Sequence, residues 1–140
     1  PVNQGGYGAI PWGGAAKFIE PSAMWLWTQN NARFSAPPAT IDFSTLITNS
    51  SQDDQQAVIH ILVDNDAVIY LNDIKVGSAS MGFSNQDYNK LPVSIPWGTS
   101  TLRIRAMNTG QGPAGLIVAV VDAASGTTLV KTDPSSWVFN

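Results

Sequence analysis

The sequence predicts an all-β protein: an antiparallel β-sandwich or jelly roll of about eight to ten short strands, preceded by an irregular N-terminal arm. Three observations carry this reading. Apolar residues alternate with polar ones in short runs. Twelve glycines and nine prolines fall between those runs, at strand spacing. No segment keeps a helical period; Ser51 to Gln56 would make one turn at most.

Residues 1–22 read as the arm and residues 23–140 as the sandwich. Pro1 to Gly14 has no period of two, and its aromatics, Tyr7 and Trp12, imply docking on its own domain or on a neighbouring subunit. Because the strand pattern starts only near residue 23, loss of the arm is expected to weaken assembly and leave the sandwich folded. Ala23-Met-Trp-Leu-Trp-Thr28 opens the sandwich, with alternation placing Trp25 and Trp27 on one face. Trp137 closes it, and the three tryptophans are expected to be buried near one another. Thr40 to Thr48 alternates Ile41 and Phe43 against Asp42 and Ser44. Ala57 to Val63 is apolar at odd positions and carries Val58, His60 and Leu62 at even ones. Asn72-Asp73 between Val68–Leu71 and Ile74–Gly77 is a two-residue hairpin signal. Thr101 to Asn108 turns Leu102, Ile104 and Ala106 inward and Arg103, Arg105 and Met107 outward. Gly115 to Asp122 is apolar on both faces, as a central strand requires. Thr127 to Lys131 and Ser136 to Phe139 complete the pattern.

Composition excludes several functions. Charged residues are 12% of the 140, about half the usual share, so the surface is built from neutral polar groups. The net charge of −3 lacks the electrostatic footprint of a nucleic-acid binder. The chain has no cysteine, which removes thiol catalysis, disulfides and cysteine metal sites. His60 is the single histidine, so a Ser-His-Asp triad has no spare His. No apolar run approaches the ~18 residues of a membrane span, and no membrane insertion is expected. The opening Pro1-Val2-Asn3, with no signal-peptide pattern, reads as a small protein missing only its initiator Met.

Several motifs together resemble the galactose-binding-domain-like jelly rolls. Ala23-Met-Trp-Leu-Trp27 is similar to that family's opening. Val63-Asp-Asn-Asp-Ala-Val-Ile-Tyr-Leu-Asn-Asp-Ile-Lys-Val-Gly77 is similar to its central hairpin, with Asp73 where the family usually has Gly. Leu102-Arg-Ile-Arg-Ala-Met-Asn108, Gly112-Pro-Ala-Gly-Leu116 and Asp133-Pro-Ser-Ser-Trp137 resemble the late motifs. Such domains accompany rhamnosidase-type enzymes and occur on surface proteins of large viruses and phages. The resemblance implies a β-sandwich that often binds sugars through loops at one end and is not itself catalytic.

The candidate site residues are aromatic and amide-bearing. Trp12 and Trp97 each sit in a Pro-Trp-Gly loop, which holds an indole rigid and able to stack on the C–H face of a pyranose. Tyr88 follows Asn85 and Asp87, whose polar groups suit vicinal hydroxyls. Tyr88 and Trp97 flank the strand Leu91 to Ile95, roughly 17 Å long, so one monosaccharide would not touch both; a site would use Trp97 with Trp12 or Tyr88 with Asn85 and Asp87, and the polar groups adjacent to the aromatic favour the second. Asp53, Asp54, Asp64 and Asp66 offer oxygen ligands of the kind Ca²⁺ takes, but turn chemistry explains Asp64 and Asp66 more simply, and no cofactor is expected. Arg103 and Arg105 either grip an acidic group or form a solvated face. Two functional readings follow. One is a lectin-like module for neutral glycan. The other is a self-associating structural protein of a virion or other particle or extracellular surface, since charge is depleted in interface cores and identical subunits would be its partners.

Overall fold

The computed structural model describes residues 1–13, 18–80 and 88–140. Eleven strands run through these residues: β1 (Val2–Gly6), β2 (Met24–Trp27), β3 (Ala39–Asn49), β4 (Gln55–Asp64), β5 (Asp66–Leu71), β6 (Ile74–Ala79), β7 (Asn89–Ile95), β8 (Gly98–Asn108), β9 (Gly115–Asp122), β10 (Thr128–Lys131) and β11 (Val138–Phe139). They form two antiparallel sheets. One has the order β1-β2-β9-β4-β7, with β10 also on β9; the other has the order β11-β3-β8-β5-β6. No helix occurs among the described residues, and the 51–56 segment bends directly into β4.

Strands β2 and β10 share one edge of β9. Leu26 pairs with Leu116, and Lys131, Val130 and Thr128 pair with Ala119, Val120 and Val121. The Met24 amide donates to the Thr132 carbonyl at 2.9 Å, which joins the two strands end to end. The β5–β6 hairpin turns at Asn72 and Asp73 with φ of 50° and 65°, the geometry of a type I′ turn, so Asp73 does serve where Gly is usual. Asn72 braces the turn by accepting from the Thr101 amide at 2.9 Å.

The period of two divides the interior into two cores. Ile59, Ile61 and Val63 of β4 and Leu116, Val118 and Val120 of β9 point between the sheets, against Ile69, Leu102, Ile104 and Ala106. Leu62, Ile117, Ala119 and Val121 point the other way, and a second apolar cluster covers them. Trp12, Phe18 and Tyr88 form that cover. Trp12 stacks on Trp25 with ring centroids 4.1 Å apart, and its indole N–H donates to Asp64 Oδ2 at 3.0 Å.

Two expectations are corrected here. The N-terminal segment is not an arm without structure of its own: Val2–Gly6 pairs with β2, and the segment ending in Trp12 packs on the sandwich. The missing period reflects a register shift between Asn3 and Gly5, which breaks the alternation a sequence scan looks for. Trp25, Trp27 and Trp137 are all buried, but not together. Trp25 faces the outer cluster, while Trp27 and Trp137 lie in the inner core, Trp27 near Phe43 at 5.5 Å between centroids.

Gly115 is where the stacked tryptophans cross β9. A Cβ there would stand 2.7 Å from Trp12 and 2.9 Å from Trp25. Gly115→Ala should therefore cost about 1–3 kcal/mol by overpacking. Gly112→Ala, with open space around its Cβ, should leave the melting temperature unchanged. Equal melting curves for the two variants would contradict this packing.

Candidate functional site

The loops gather at two ends of the sandwich. At the first end lie the connections β3–β4, β7–β8 and β9–β10. Asn49 ties two of them, donating from Nδ2 to the Asp53 carbonyl at 2.9 Å and to the Ile95 carbonyl at 3.0 Å. Trp97 stands in β7–β8, between Pro96 and Gly98, and is 63% exposed. Pro96 limits its own φ, and Gly98 adopts a φ of 97° that a side chain would strain. Gly98 pairs with Asn49, which with Ser50, Ser51, Asp53, Asp54 and Gln56 lines an open cleft of about 530 Å³ at the same end of the sandwich. Gln56 Nε2 donates to Ser94 Oγ at 3.0 Å, which donates to Asp54 Oδ2 at 3.3 Å. The Asp122 carboxylate is fully engaged by Gln55 and by the Ala124 and Ser125 amides. The Gln55 bond, then the Ser125 bonds, hold its pKa down to about 2.

The other sequence candidates sit elsewhere. Trp12 is 4% exposed and its face is taken by Trp25, so it offers no stacking platform, contrary to the expectation for its Pro-Trp-Gly loop. Tyr88 is 7% exposed and serves the outer core. Asn85 and Asp87 lie outside the described residues. Strand β7 runs unbroken from Asn89 to Ile95, so Tyr88 and Trp97 are at opposite ends. The four calcium candidates do not converge. Asp53 and Asp54 lie at the Trp97 end; Asp64 and Asp66 lie at the other, where Trp12 and Asn65 donate to the Asp64 oxygens. No cluster of three metal-binding side chains exists among the described residues. Burial raises the Asp64 pKa, and the Trp12 hydrogen bond opposes that rise. Arg103 and Arg105 are committed within the chain. Arg105 makes a two-pronged contact with Asp42, at 3.0 and 3.2 Å, while Arg103 pairs with Asp42 and Asp73 and stacks over Tyr70.

At the second end, the β2–β3 connection forms a polar cleft with β1 that the sequence reading passed over. Its side chains are Asn3, Asn30, Asn31 and Arg33, with exposed Phe34 beside them. The signal was present as Gln29-Asn-Asn-Ala-Arg-Phe34, a run dense in amides with one cation and one aromatic, but with no strand period to draw attention to it.

No protein-family model and no curated protein matches the sequence. Solved structures do match. The lectin of Pleurotus ostreatus in complex with GalNAc is 23% identical at a TM-score of 0.69, covering 82% of this chain and 35% of the lectin chain. Its apo form matches at 26% identity and a TM-score of 0.62, covering 89% and 36%. The α-L-rhamnosidase of Streptomyces avermitilis in complex with L-rhamnose matches at 26% identity and a TM-score of 0.68, covering 89% of this chain and 12% of the enzyme. The chain thus spans about a third of the lectin and an eighth of the rhamnosidase. The fold is a galactose-binding-domain-like β-sandwich.

His60 supplies a test of the outer core. The Tyr88 hydroxyl accepts from the Ile19 amide at 3.2 Å and is hydrogen-bonded to His60 Nδ1 at 3.1 Å. Burial, and then the positive charge of Lys90, lower the His60 pKa from the ordinary 6.5. A depressed histidine contributes stability above its unfolded pKa, and that stability is lost as pH falls from about 6.5 toward the folded value. Glu20, Asp42, Asp122 and Asp133, all lowered, act the same way only in the more acidic carboxylate range. Asp64, raised, acts in the opposite sense. Between pH 7 and 5 the native melting temperature should therefore fall more steeply than that of His60→Gln. Parallel slopes would show that His60 is not buried neutral.

Proposed function

We propose that the chain is a non-catalytic carbohydrate-recognition module that binds neutral glycan at the end carrying Trp97. The observation that carries this is a 63% exposed indole, held on the backbone between Pro96 and Gly98, at the same end of the sandwich as a cleft of carboxylate, amide and hydroxyl groups. The indole face takes the apolar C–H face of a pyranose. Asp53, Asp54 and Gln56 supply acceptors and donors for its hydroxyls. The likeness to a lectin fold supports the reading. Binding is expected to need no metal.

The test is a screen on immobilised neutral glycans followed by calorimetric titration of the best hit. Trp97→Ala should weaken binding at least about tenfold, equivalent to about 1.4 kcal/mol. Its melting temperature should barely move, because exposed substitutions usually stay within about 0.5 kcal/mol. Undiminished binding by the variant would remove Trp97 from the site.

A second reading, self-association on a particle or cell surface, is favoured by one observation. Leu46 and Val138 are both exposed and are near neighbours on the outer face of the five-stranded sheet, since Val138 pairs with Ser44. Sedimentation of the purified chain separates the readings: self-association should fall on Leu46→Lys, whereas a monomer at all concentrations would set this one aside.

A further inference from the structure

The cleft at the second end has the opposite chemistry to the Trp97 end. Among the described residues, its lining has no carboxylate and one cation. Buried Gln4 of β1 fixes its floor, donating to the Gln29 carbonyl at 2.7 Å and accepting from the Arg33 amide at 3.0 Å. Its outer wall is a tight turn in which the Phe34 and Ser35 amides both donate to the Asn31 carbonyl. The far side of the loop is held to the β8–β9 connection, where Ala114 donates to the Ala32 carbonyl at 2.9 Å and Gln111 to Ser35 Oγ at 2.6 Å. The backbone of the cleft is thus pinned on both sides.

Of the side chains facing it, Asn3 accepts from the Gly5 amide at 2.7 Å, and the other three are uncommitted. The Arg33 guanidinium lies 4.6 Å over the Phe34 ring and crosses β1 at Gly5, where an added Cβ would come within 3.5 Å of it. Among the described residues it makes no ion pair and donates no hydrogen bond. Arg103 and Arg105, in contrast, are both paired with aspartates. The Asn30 and Asn31 amides also make no side-chain hydrogen bond among the described residues.

From this we infer a second ligand site: the Asn30–Asn31–Arg33 cleft binds the carboxylate of an acidic sugar. A guanidinium presents two parallel N–H donors to a planar carboxylate, a match that an ammonium lacks. A single cation, with no second positive group among the described lining residues, suits one singly charged, two-oxygen anion. The amides take the ring hydroxyls, and the open face of Phe34 takes the C–H face of the sugar. The proposal rests on the reading of the chain as a carbohydrate-recognition module. Because the two sites lie at opposite ends of one rigid sandwich, a single chain would hold an acidic and a neutral glycan at once.

The experiment titrates the purified chain with glucuronate and galacturonate oligosaccharides, with neutral glucose and galactose oligosaccharides of equal length, and with galactose 6-sulfate. The uronate series should bind, and binding should weaken with added salt. Arg33→Lys should weaken it about tenfold or more, and Arg33→Met should abolish it, while Trp97→Ala leaves it unchanged. Asn30→Ala, which spares the pinned backbone, provides a milder second variant and should weaken uronates without altering the melting temperature. Uronate binding that survives Arg33→Met overturns the inference, as does tighter binding of galactose 6-sulfate than of uronates. Neutral glycans that bind through Trp97 while uronates do not bind would also overturn it, and the lectin reading would stand. Absence of binding by every sugar would remove both.

Discussion

A sheet that is apolar on both faces cannot leave one of them in water. Strands β4 and β9 are such a pair, and the five-stranded sheet covers only one side. The remaining face is closed by the chain's first residues, through Trp12 stacked on Trp25 and bonded to Asp64. Each large apolar side chain placed there gains about 1.5–3 kcal/mol over exposure. The Trp12 hydrogen bond also satisfies a carboxylate that burial would otherwise penalise. Gly115 gives the two indoles room, Phe18 extends the cover, and Tyr88 continues it across to His60. The fold is accordingly a sandwich with a partial third layer.

That third layer decides which aromatics are available for recognition. Trp12 and Tyr88 are spent on the outer core, whereas Trp97 and Phe34, the two most exposed large aromatics among the described residues, lie at opposite ends. In each case the backbone behind the aromatic is fixed by a side-chain amide spanning two segments. Asn49 does this behind Trp97, and Gln4 does it behind Arg33 and Phe34. Under the proposed reading, a platform held this way would lose little freedom when a sugar lands on it.

Much of the fold was legible because a period of two survives in single sequences. Thr101 to Asn108 shows its inward and outward faces plainly, and the structure buries Leu102, Ile104 and Ala106 as that pattern requires. The double-sided apolarity of Gly115 to Asp122 also announced a central strand. Strand β1 was not legible, because its bulge and glycines erase the alternation. Trp25 and Trp27 were placed on one face by the same rule, and the structure separates them into two cores. The site was less legible than the fold. Residue type identified Trp97, but the same Pro-Trp-Gly context surrounds Trp12, and only three-dimensional packing distinguishes an exposed indole from a buried one. The Arg33 cleft joins residues from β1 and the β2–β3 connection, a proximity that no local motif encodes.

The most direct measurement compares the thermal unfolding of the full chain with that of a variant lacking residues 1–13. If those residues close the outer core, loss of Trp12 alone should cost about 3–5 kcal/mol. For a chain of this length that lowers the melting temperature by about 10–15 °C, with a broader and less cooperative transition. A truncated chain that melts within a degree or two of the full one would show that the outer face of β4 and β9 does not depend on Trp12.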